Sequence, residues 1–367
     1  MKICAIVCEY NPFHRGHEKQ IRQIRAGFSE EVCILSLMSG YFVQRGEPAL
    51  LPPTERARAA LAGGTDLVLE LPFPFCCAPA EIFAAGAVSL LNRLGKVDFL
   101  AFGSEQNDPD ALFSCAETLL SPTYEKALSE TMRDKSVSFP RAAEKAFRSL
   151  SDGFFPVLPN DILAVEYLKA LKQSDSPIEP LILSRENDGL TASGARASLR
   201  KGEWDSFLLP DSSAEVFRVE PTLFADLSRI ESLLLGHFRL SDEKGRIGRA
   251  AENASSLSEF FALLTDKSHT AAFSRREVLA SLLGFSFPCG EPLYTRLFAA
   301  DERGRRALRL FSPDFPLLTK PAHASRMSEE AQKQFALGQK AAKVYALTLP
   351  ENRRNESDLR NTPTIAD

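Results

Sequence analysis

The strongest constraint in the chain is an alternation of two patterns. Four short apolar runs, residues 2 to 8 (KICAIVC), 32 to 37 (VCILSL), 66 to 71 (DLVLEL) and 97 to 102 (VDFLAF), are bounded by turn residues. Runs of that length and composition suit strands buried on both faces. Between them lie stretches rich in Ala, Leu, Arg and Glu at 15 to 27, 54 to 63 and 80 to 94, which favour helix. Four repeats of strand and helix predict an α/β fold, a parallel sheet with helices on both faces joined by right-handed crossovers. In such a sheet ligands sit at the carboxyl ends of the strands.

The pattern continues with a helix at 160 to 171, a strand at 179 to 184 (EPLILS) and a short helix at 193 to 201. Beyond Pro210-Asp211-Ser212-Ser213, which reads as a linker, amphipathic stretches at 221 to 236, 256 to 266 and 274 to 285 predict a mainly helical second half. The expected division is therefore 1–210 and 211–367. Strand-like 292 to 299 and 315 to 320 and helix-like 328 to 346 have no evident place in that scheme. A length of 367 residues fits two domains. The net charge of −4 excludes a uniformly basic coat for nucleic acid but leaves room for a local basic face. No stretch approaches the 18 or so apolar residues of a membrane span, and the N-terminal run is too short for a signal segment. A cytoplasmic protein with no membrane contact and no protein partner is the expectation. Cys4, Cys8, Cys33, Cys76, Cys77, Cys115 and Cys289 form no CxxC pair and read as buried thiols.

Chemistry concentrates in the segment after the first strand, Glu9-Tyr10-Asn11-Pro12-Phe13-His14-Arg15-Gly16-His17. His14 and His17 share one side of the first helical turn, where free amides and the positive end of the helix dipole favour a phosphate. Two incidental surface histidines are the bland alternative, but the strand-to-helix position favours a phosphate or nucleotide. Zinc would need a third ligand, and His237, His269 and His323 stand in unremarkable surroundings; no metal site is expected. Gly16, without a Cβ, allows close approach of a ligand. Ser39-Gly40 and Gln44-Arg45-Gly46 form a polar loop after the second strand. Arg45 there supplies either a phosphate-pairing guanidinium or a solvated charge, and both readings stay open. Gly103 is either a turn glycine or a point of close approach. Asn160 has the chemistry of a helix N-cap. Asp66 and Glu70, inside a buried strand pattern, read as structural and not as an acid/base pair.

The His14-Arg15-Gly16-His17 turn resembles the HxGH signature of the nucleotidyltransferase superfamily. Its extended form, EYNPFHxGH, is similar to that of bacterial tRNA(Met) cytidine acetate ligases. Met38 to Ala49, Asp66 to Pro72 and Phe102-Gly103-Ser104-Glu105 agree in order and spacing, and the likeness spans about the first 200 residues. The resemblance implies His14 and His17 as catalytic, with ATP held by Val7, Glu9, Asn11, Pro12, Phe13, Gly16, Gly103, Asn160, Arg185, Ser193 and Arg196. It assigns Ser39, Gly40, Gln44 and Arg45 to the loop facing the substrate. Thr191-Ala192-Ser193-Gly194-Ala195-Arg196 is similar to the superfamily's second signature, although Ala192 and Ala195 replace the usual Ser and Ile. Glu186-Asn187-Asp188 replaces the usual Tyr-His-Asp.

By the same resemblance the chain joins acetate to AMP using ATP, with Mg2+ accompanying the triphosphate. It then acetylates the exocyclic amine of the wobble cytidine of elongator tRNA(Met). Lys267-Ser268-His269-Thr270 stands where the family has Lys-Arg-Tyr-Thr, with Phe273 where an arginine is commoner. Lys267, Thr270, Arg275 and Arg276 are the implied tRNA contacts. Lys244, Arg246, Arg249, Arg303, Arg305, Arg306 and Arg309 are further cations of that half. The rival readings are another HxGH enzyme, a citrate lyase ligase or a cofactor adenylyltransferase, and a non-catalytic nucleotide- or RNA-binding protein. The intact His14, His17, Arg185 and Arg196 speak against the last.

Overall fold

The computed structural model describes the whole chain except residues 107, 135–136, 186–188, 215–223, 242–244, 288–289, 355–362 and 367. Lys244, Cys289 and the Glu186-Asn187-Asp188 departure lie outside the described residues. Five parallel strands, β1 (Lys2–Cys8), β2 (Val32–Ser39), β3 (Leu67–Leu71), β4 (Phe99–Ser104) and β5 (Glu179–Ser184), stand in the order β5-β4-β1-β2-β3. The chain winds outward in one direction through β3 and then in the other from β4. The switch point thus lies between β1 and β4, and a crevice opens beyond their carboxyl ends.

Period-two alternation decides which side chain faces which layer. Ile3, Ala5, Leu35, Leu37, Leu67, Leu69 and Leu100 pack with Phe83, Ala87 and Leu91 of α3 (Ala80–Leu94) and with Ala164 and Leu168 of a later helix, Pro159–Gln173. Cys4, Ile6, Ile34 and Val68 face the other way. They meet Ile21 and Ile24 of α1 (Arg15–Ala26), Ala57 and Ala60 of α2 (Pro53–Ala62) and Leu199 of Ala192–Arg200. In chain order the helices after α3 are α4 (Pro109–Leu119), α5 (Pro122–Thr131), α6 (Phe139–Arg148), α7 (Pro159–Gln173) and α8 (Ala192–Arg200). Cys4, Cys8, Cys33, Cys76, Cys77 and Cys115 are free and buried, as apolar runs require.

Three features depart from the sequence expectation. Pro210 to Ser213 is not a loose linker: Asp211–Ser213 form a short 3-10 turn, and the buried Ser213 hydroxyl donates to the Ala59 carbonyl of α2 at 3.2 Å. Only four of the second half's described helices, α9 (Glu231–Leu240), α10 (Arg246–Asn253), α11 (Leu257–Leu263) and α12 (Ala271–Leu283), share a core of their own, around Leu235, Phe238, Phe260 and Val278. And the sheet is not wholly parallel. The unplaced strand signals return to it as β6 (Thr295–Ala300), antiparallel on β3, and β7 (Leu317–Leu318) on β6; β8 (Thr364–Ile365), which the sequence did not signal, also pairs with β6. The cause is β3 itself, whose five residues are all buried and whose outer edge must be paired away from water. α14 (Glu329–Leu347) then lies against the same core through Ala341, Ala342 and Tyr345.

Asp66 joins the two halves. Its carboxylate accepts from the Ile34 amide (2.7 Å), from Arg25 (2.7 Å) and from Arg303 (2.6 Å), where Arg303 belongs to α13 (Glu302–Leu308). This is the structural role that its strand context implied. Gly304 of α13 lies so close that a Cβ would fall 2.1 Å from the Asp66 carbonyl oxygen. Gly304→Ala should therefore push α13 off the sheet edge and cost about 2 kcal/mol, as overpacking does. An unchanged urea midpoint would show that α13 does not bear on β3.

Candidate active site

A cleft of about 370 Å³ opens at the switch point. Val7, Glu9, Asn11, His17, Gln44, Arg45, Gly103, Asn160, Arg185, Ser193 and Arg196 all line it. His14 and Gly16 line a recess of about 70 Å³ alongside, which shares His17, Gly103 and Arg185 with the cleft. Pro12, Phe13, Ser39 and Gly40 support the cleft from behind. Phe13 is fully buried against Tyr10, ring centroids 5.0 Å apart. Ser39 turns its hydroxyl to the Cys76 carbonyl (3.4 Å), and Gly40 makes room for the Glu70 carboxylate, 2.8 Å from where its Cβ would be.

The two histidines cap their own helix. His14 is the N-cap: its Nδ1 accepts from the Gly16 amide at 3.0 Å, and the His17 Nδ1 accepts in return from the His14 amide at 3.2 Å. An Nδ1 that accepts a hydrogen bond carries no hydrogen itself, so each neutral imidazole has its N–H on Nε2 as a donor. The rings stack with centroids 3.8 Å apart. Burial, then the His14 ring and the Arg185 charge, hold the His17 pKa well below the usual imidazole value of 6.5. Two corrections follow. The first-turn amides are not free for an anion, because Arg15 donates to the Leu208 carbonyl (2.9 Å), Gly16 to His14 and His17 to the His14 carbonyl (2.9 Å). And at Gly16 the absent Cβ already has a neighbour within the protein, since it would meet the His14 ring at 2.8 Å.

Cations complete the cleft. Arg185 follows β5, its backbone amide on the Ser104 carbonyl at 2.8 Å, and its stem lies over Gly103, where a Cβ would sit 2.9 Å away. The absent Cβ of Gly103 therefore accommodates Arg185. Arg196 of α8 donates to the Asn11 carbonyl at 2.6 Å; burial lowers its pKa while the Glu47 and Glu9 carboxylates oppose. Thr191 caps α8 by accepting from the Gly194 amide (3.1 Å), and the amides of Ala192 and Ser193 precede the first intrahelical bond beside the cleft. Asn160 is not a cap. It sits inside α7 and donates to Glu105 at 2.5 Å, while the buried Asp161 next to it accepts from the Ser104 hydroxyl (2.6 Å) and the Glu105 amide (2.9 Å). Imidazole N–H donors, two guanidiniums and a helix N-terminus around one crevice match a polyphosphate with an attached nucleoside.

Comparison with known proteins agrees. Residues 1–201 match the model of the HIGH nucleotidyl transferase family. The tRNA(Met) cytidine acetate ligase of Syntrophotalea carbinolica is 36% identical over 84% of this chain and 82% of its own length. That of Alkaliphilus metalliredigens is 30% identical over 99% of this chain and 98% of its own. The chain belongs to the tRNA(Met) cytidine acetate ligase family. A crystal structure of Thermotoga maritima TmcAL bound with alpha-thio ATP superposes with a TM-score of 0.88 at 29% identity, covering 100% of this chain and 99% of that one. The apo form of the same protein gives 0.87.

For a member of that family, the second-half cations are unevenly disposed. Lys267, Arg305 and Arg309 are exposed, and Thr270 caps α12 by accepting from the Phe273 amide at 3.2 Å. Arg275, however, pairs with Glu47 at 2.7 Å, and Arg276 donates to the Gln44 carbonyl at 3.1 Å, so both reach back to the cleft loop. Arg246 is held by Glu277 and the Leu264 carbonyl, and Arg303 and Arg306 by Glu31.

Sequence reasoning missed Arg56. Fully buried in α2, its guanidinium donates to the carbonyls of Glu9, Ser39 and Gly40 and its Nε to that of Leu51 (3.0 Å), which ties the loop after β1 to the loop after β2. The signal was available: an arginine at helical spacing from Ala59 and Ala60 on the apolar side of its helix. The apolar wall of Phe83, Phe102, Leu163 and Tyr167 was missed as well.

Two predictions follow from this geometry. Arg56→Met leaves buried carbonyls unpaired and should cost about 3 kcal/mol, read as a lowered denaturation midpoint; a change of less than about 0.5 kcal/mol would mean those carbonyls find water. For His17, the folded-state pKa lies below the unfolded one, so its contribution to stability is complete above 6.5 and is lost as pH falls below that value. Long-range 1H–15N NMR should show its ring as a neutral Nε2–H tautomer still at about pH 6. A ring titrating near 6.5 would contradict this account.

Proposed function

We propose that the chain uses ATP to activate acetate as acetyl adenylate and then acetylates the exocyclic amine of the wobble cytidine of elongator tRNA(Met), giving N4-acetylcytidine. The carrying observation is that His17, Arg185 and Arg196 converge on one cleft, with His14 in the recess that adjoins it, in a chain that aligns end to end with an ATP-analogue-bound member of the family. In the first step an acetate oxygen bonds to the α-phosphorus, the bond to the bridging oxygen breaks, and pyrophosphate leaves with the electron pair. Negative charge grows on the α-phosphoryl oxygens and on the leaving group. The Nε2–H donors of His14 and His17 and the guanidiniums of Arg185 and Arg196 are preorganised to meet it. The apolar wall at Phe83, Phe102, Leu163 and Tyr167 keeps water from the mixed anhydride, whose hydrolysis would waste it.

In the second step the cytidine amine attacks the acetyl carbonyl, the C–O bond to AMP breaks, and the amine proton is lost. Mg2+ enters as part of the ATP substrate. No group of three His, Cys, Asp or Glu side chains among the described residues is placed to hold an ion, so its ligands would be the phosphates. The unit 1–210 carries the activation, and the exposed Lys267 with its neighbours in 211–367 faces the tRNA. No helix among the described residues is long and apolar enough to cross a membrane, and we assign the reaction to the cytoplasm.

The test is release of pyrophosphate from ATP with acetate, followed by transfer of labelled acetyl to tRNA(Met). His17→Ala should slow release about 100- to 1000-fold with the fold retained. Release with another acid but not acetate would overturn the acetate assignment. Acetyl adenylate formed without acetylation of tRNA would point to a protein thiol acceptor, as in a citrate lyase ligase.

A further inference from the structure

Residues 41 to 49 cross over the cleft as a hairpin-like loop. Phe42 and Pro48 bridge antiparallel, and the Ala49 amide donates to the Tyr41 carbonyl at 2.9 Å. Its tip is a closed turn, with the Val43 amide on the Glu47 carbonyl (2.9 Å) and the Gly46 amide on the Val43 carbonyl (2.8 Å). Val43, Gln44, Arg45 and Glu47 of that tip line the cleft. The tip is fixed through both backbone polar groups of one residue, Gln44. Toward the cleft, the Gln44 amide donates to the Glu9 carboxylate at 2.9 Å; away from it, the Gln44 carbonyl accepts from the Arg276 guanidinium at 3.1 Å. Gly46 stands at φ +74°, and a Cβ there would come within 2.9 Å of the Arg276 backbone nitrogen, so the loop sits directly on the backbone of α12. Arg275 pairs with Glu47 from the same turn of α12.

We infer that Arg276 is a positioning residue for adenylate formation: from the helical unit it holds the Val43–Glu47 turn so that Glu9 and Arg45 stand correctly in the cleft. This rests on the activity proposed above. It moves Arg276 from the group of RNA contacts to the activation step. A guanidinium suits the role because it reaches the carbonyl from a packed helix and keeps its charge when partly buried. The arrangement also makes α12 a shared wall, one side in the bundle core through Val278 and the other against the loop.

The test compares Arg276→Ala, Arg276→Lys and Gly46→Ala in the full-length protein, with pyrophosphate release measured on ATP and acetate in the absence of RNA. Displacing the turn should lower kcat about 10- to 100-fold for Arg276→Ala, with KM for ATP within about threefold because the imidazoles, Arg185 and Arg196 are untouched. Arg276→Lys and added guanidinium should each restore part of the rate. Gly46→Ala should act in the same direction, and the double variant should be no slower than the slower single one, since both act through one turn. A folded Arg276→Ala with normal pyrophosphate release, or one impaired only in acetylation of tRNA, would overturn the inference and return Arg276 to RNA contact. If Arg276→Ala does not fold, Arg276→Lys and Gly46→Ala decide in its place: normal release in both overturns it. Wild-type protein that released no pyrophosphate with any acid would instead refute the activity itself.

Discussion

The reciprocal cap between His14 and His17 is the interaction on which the site depends. One pair of hydrogen bonds starts α1 and fixes the tautomer of both rings. Ordinarily a capping box is built from Ser or Thr with Glu or Gln, which would leave carboxylate or hydroxyl oxygens at the helix start. Imidazoles perform the same capping with Nδ1 and carry a second, opposite nitrogen. The activity proposed above would then draw on different atoms of these side chains from those that cap the helix. Neutrality at His17 matters for the same reason, because a stacked pair in a buried recess beside Arg185 tolerates donors better than additional positive charge.

Around that corner the cleft is made of loops, and loops hold position only when their carbonyls and amides are taken up. Arg56 does this beneath the floor, gathering Glu9, Ser39, Gly40 and Leu51 from inside α2. Asp161 does it at the other rim, receiving the end of β4 at the head of α7. Burial pushes the Glu9 carboxyl up, and the Gln44 amide with Arg196, Arg56 and Arg45 pulls it back. One carboxylate thus registers the positions of the loop after β2, of α2 and of α8 at once.

How much of this was legible depended on range. The five parallel strands and their helices were readable because each is a local pattern, from the 5 residues of β3 to the 15 of α3, and 80 to 94 and 179 to 184 coincide with α3 and β5. The His14 to His17 turn was readable because it is contiguous. Arg185 and Arg196 entered only through resemblance to a family, since nothing local distinguishes either from a solvated arginine. Asn160 was misjudged as a cap because the helix begins one residue earlier, at Pro159, which needs no amide partner. Gly16 and Gly103 were singled out for a ligand's approach, whereas their contacts with the His14 ring and the Arg185 stem were not legible. Arg56, Asp161 and the Arg276 contact involve partners far apart in the chain, and no periodicity encodes them.

The antiparallel strand on the edge of β3 has a consequence for biogenesis. The Thr295 hydroxyl donates to the Glu70 carbonyl across 225 residues of chain. During synthesis β3 emerges first, while the segment that closes its open side follows 225 residues later. A nascent sheet with an unsatisfied apolar rim is an invitation to neighbouring chains. Charged Asp66 at the mouth of that rim, flanked by Arg25 from the first crossover, is in place long before Arg303 arrives. It offers a polar gatekeeper during the interval in which the molecule is most exposed to aggregation.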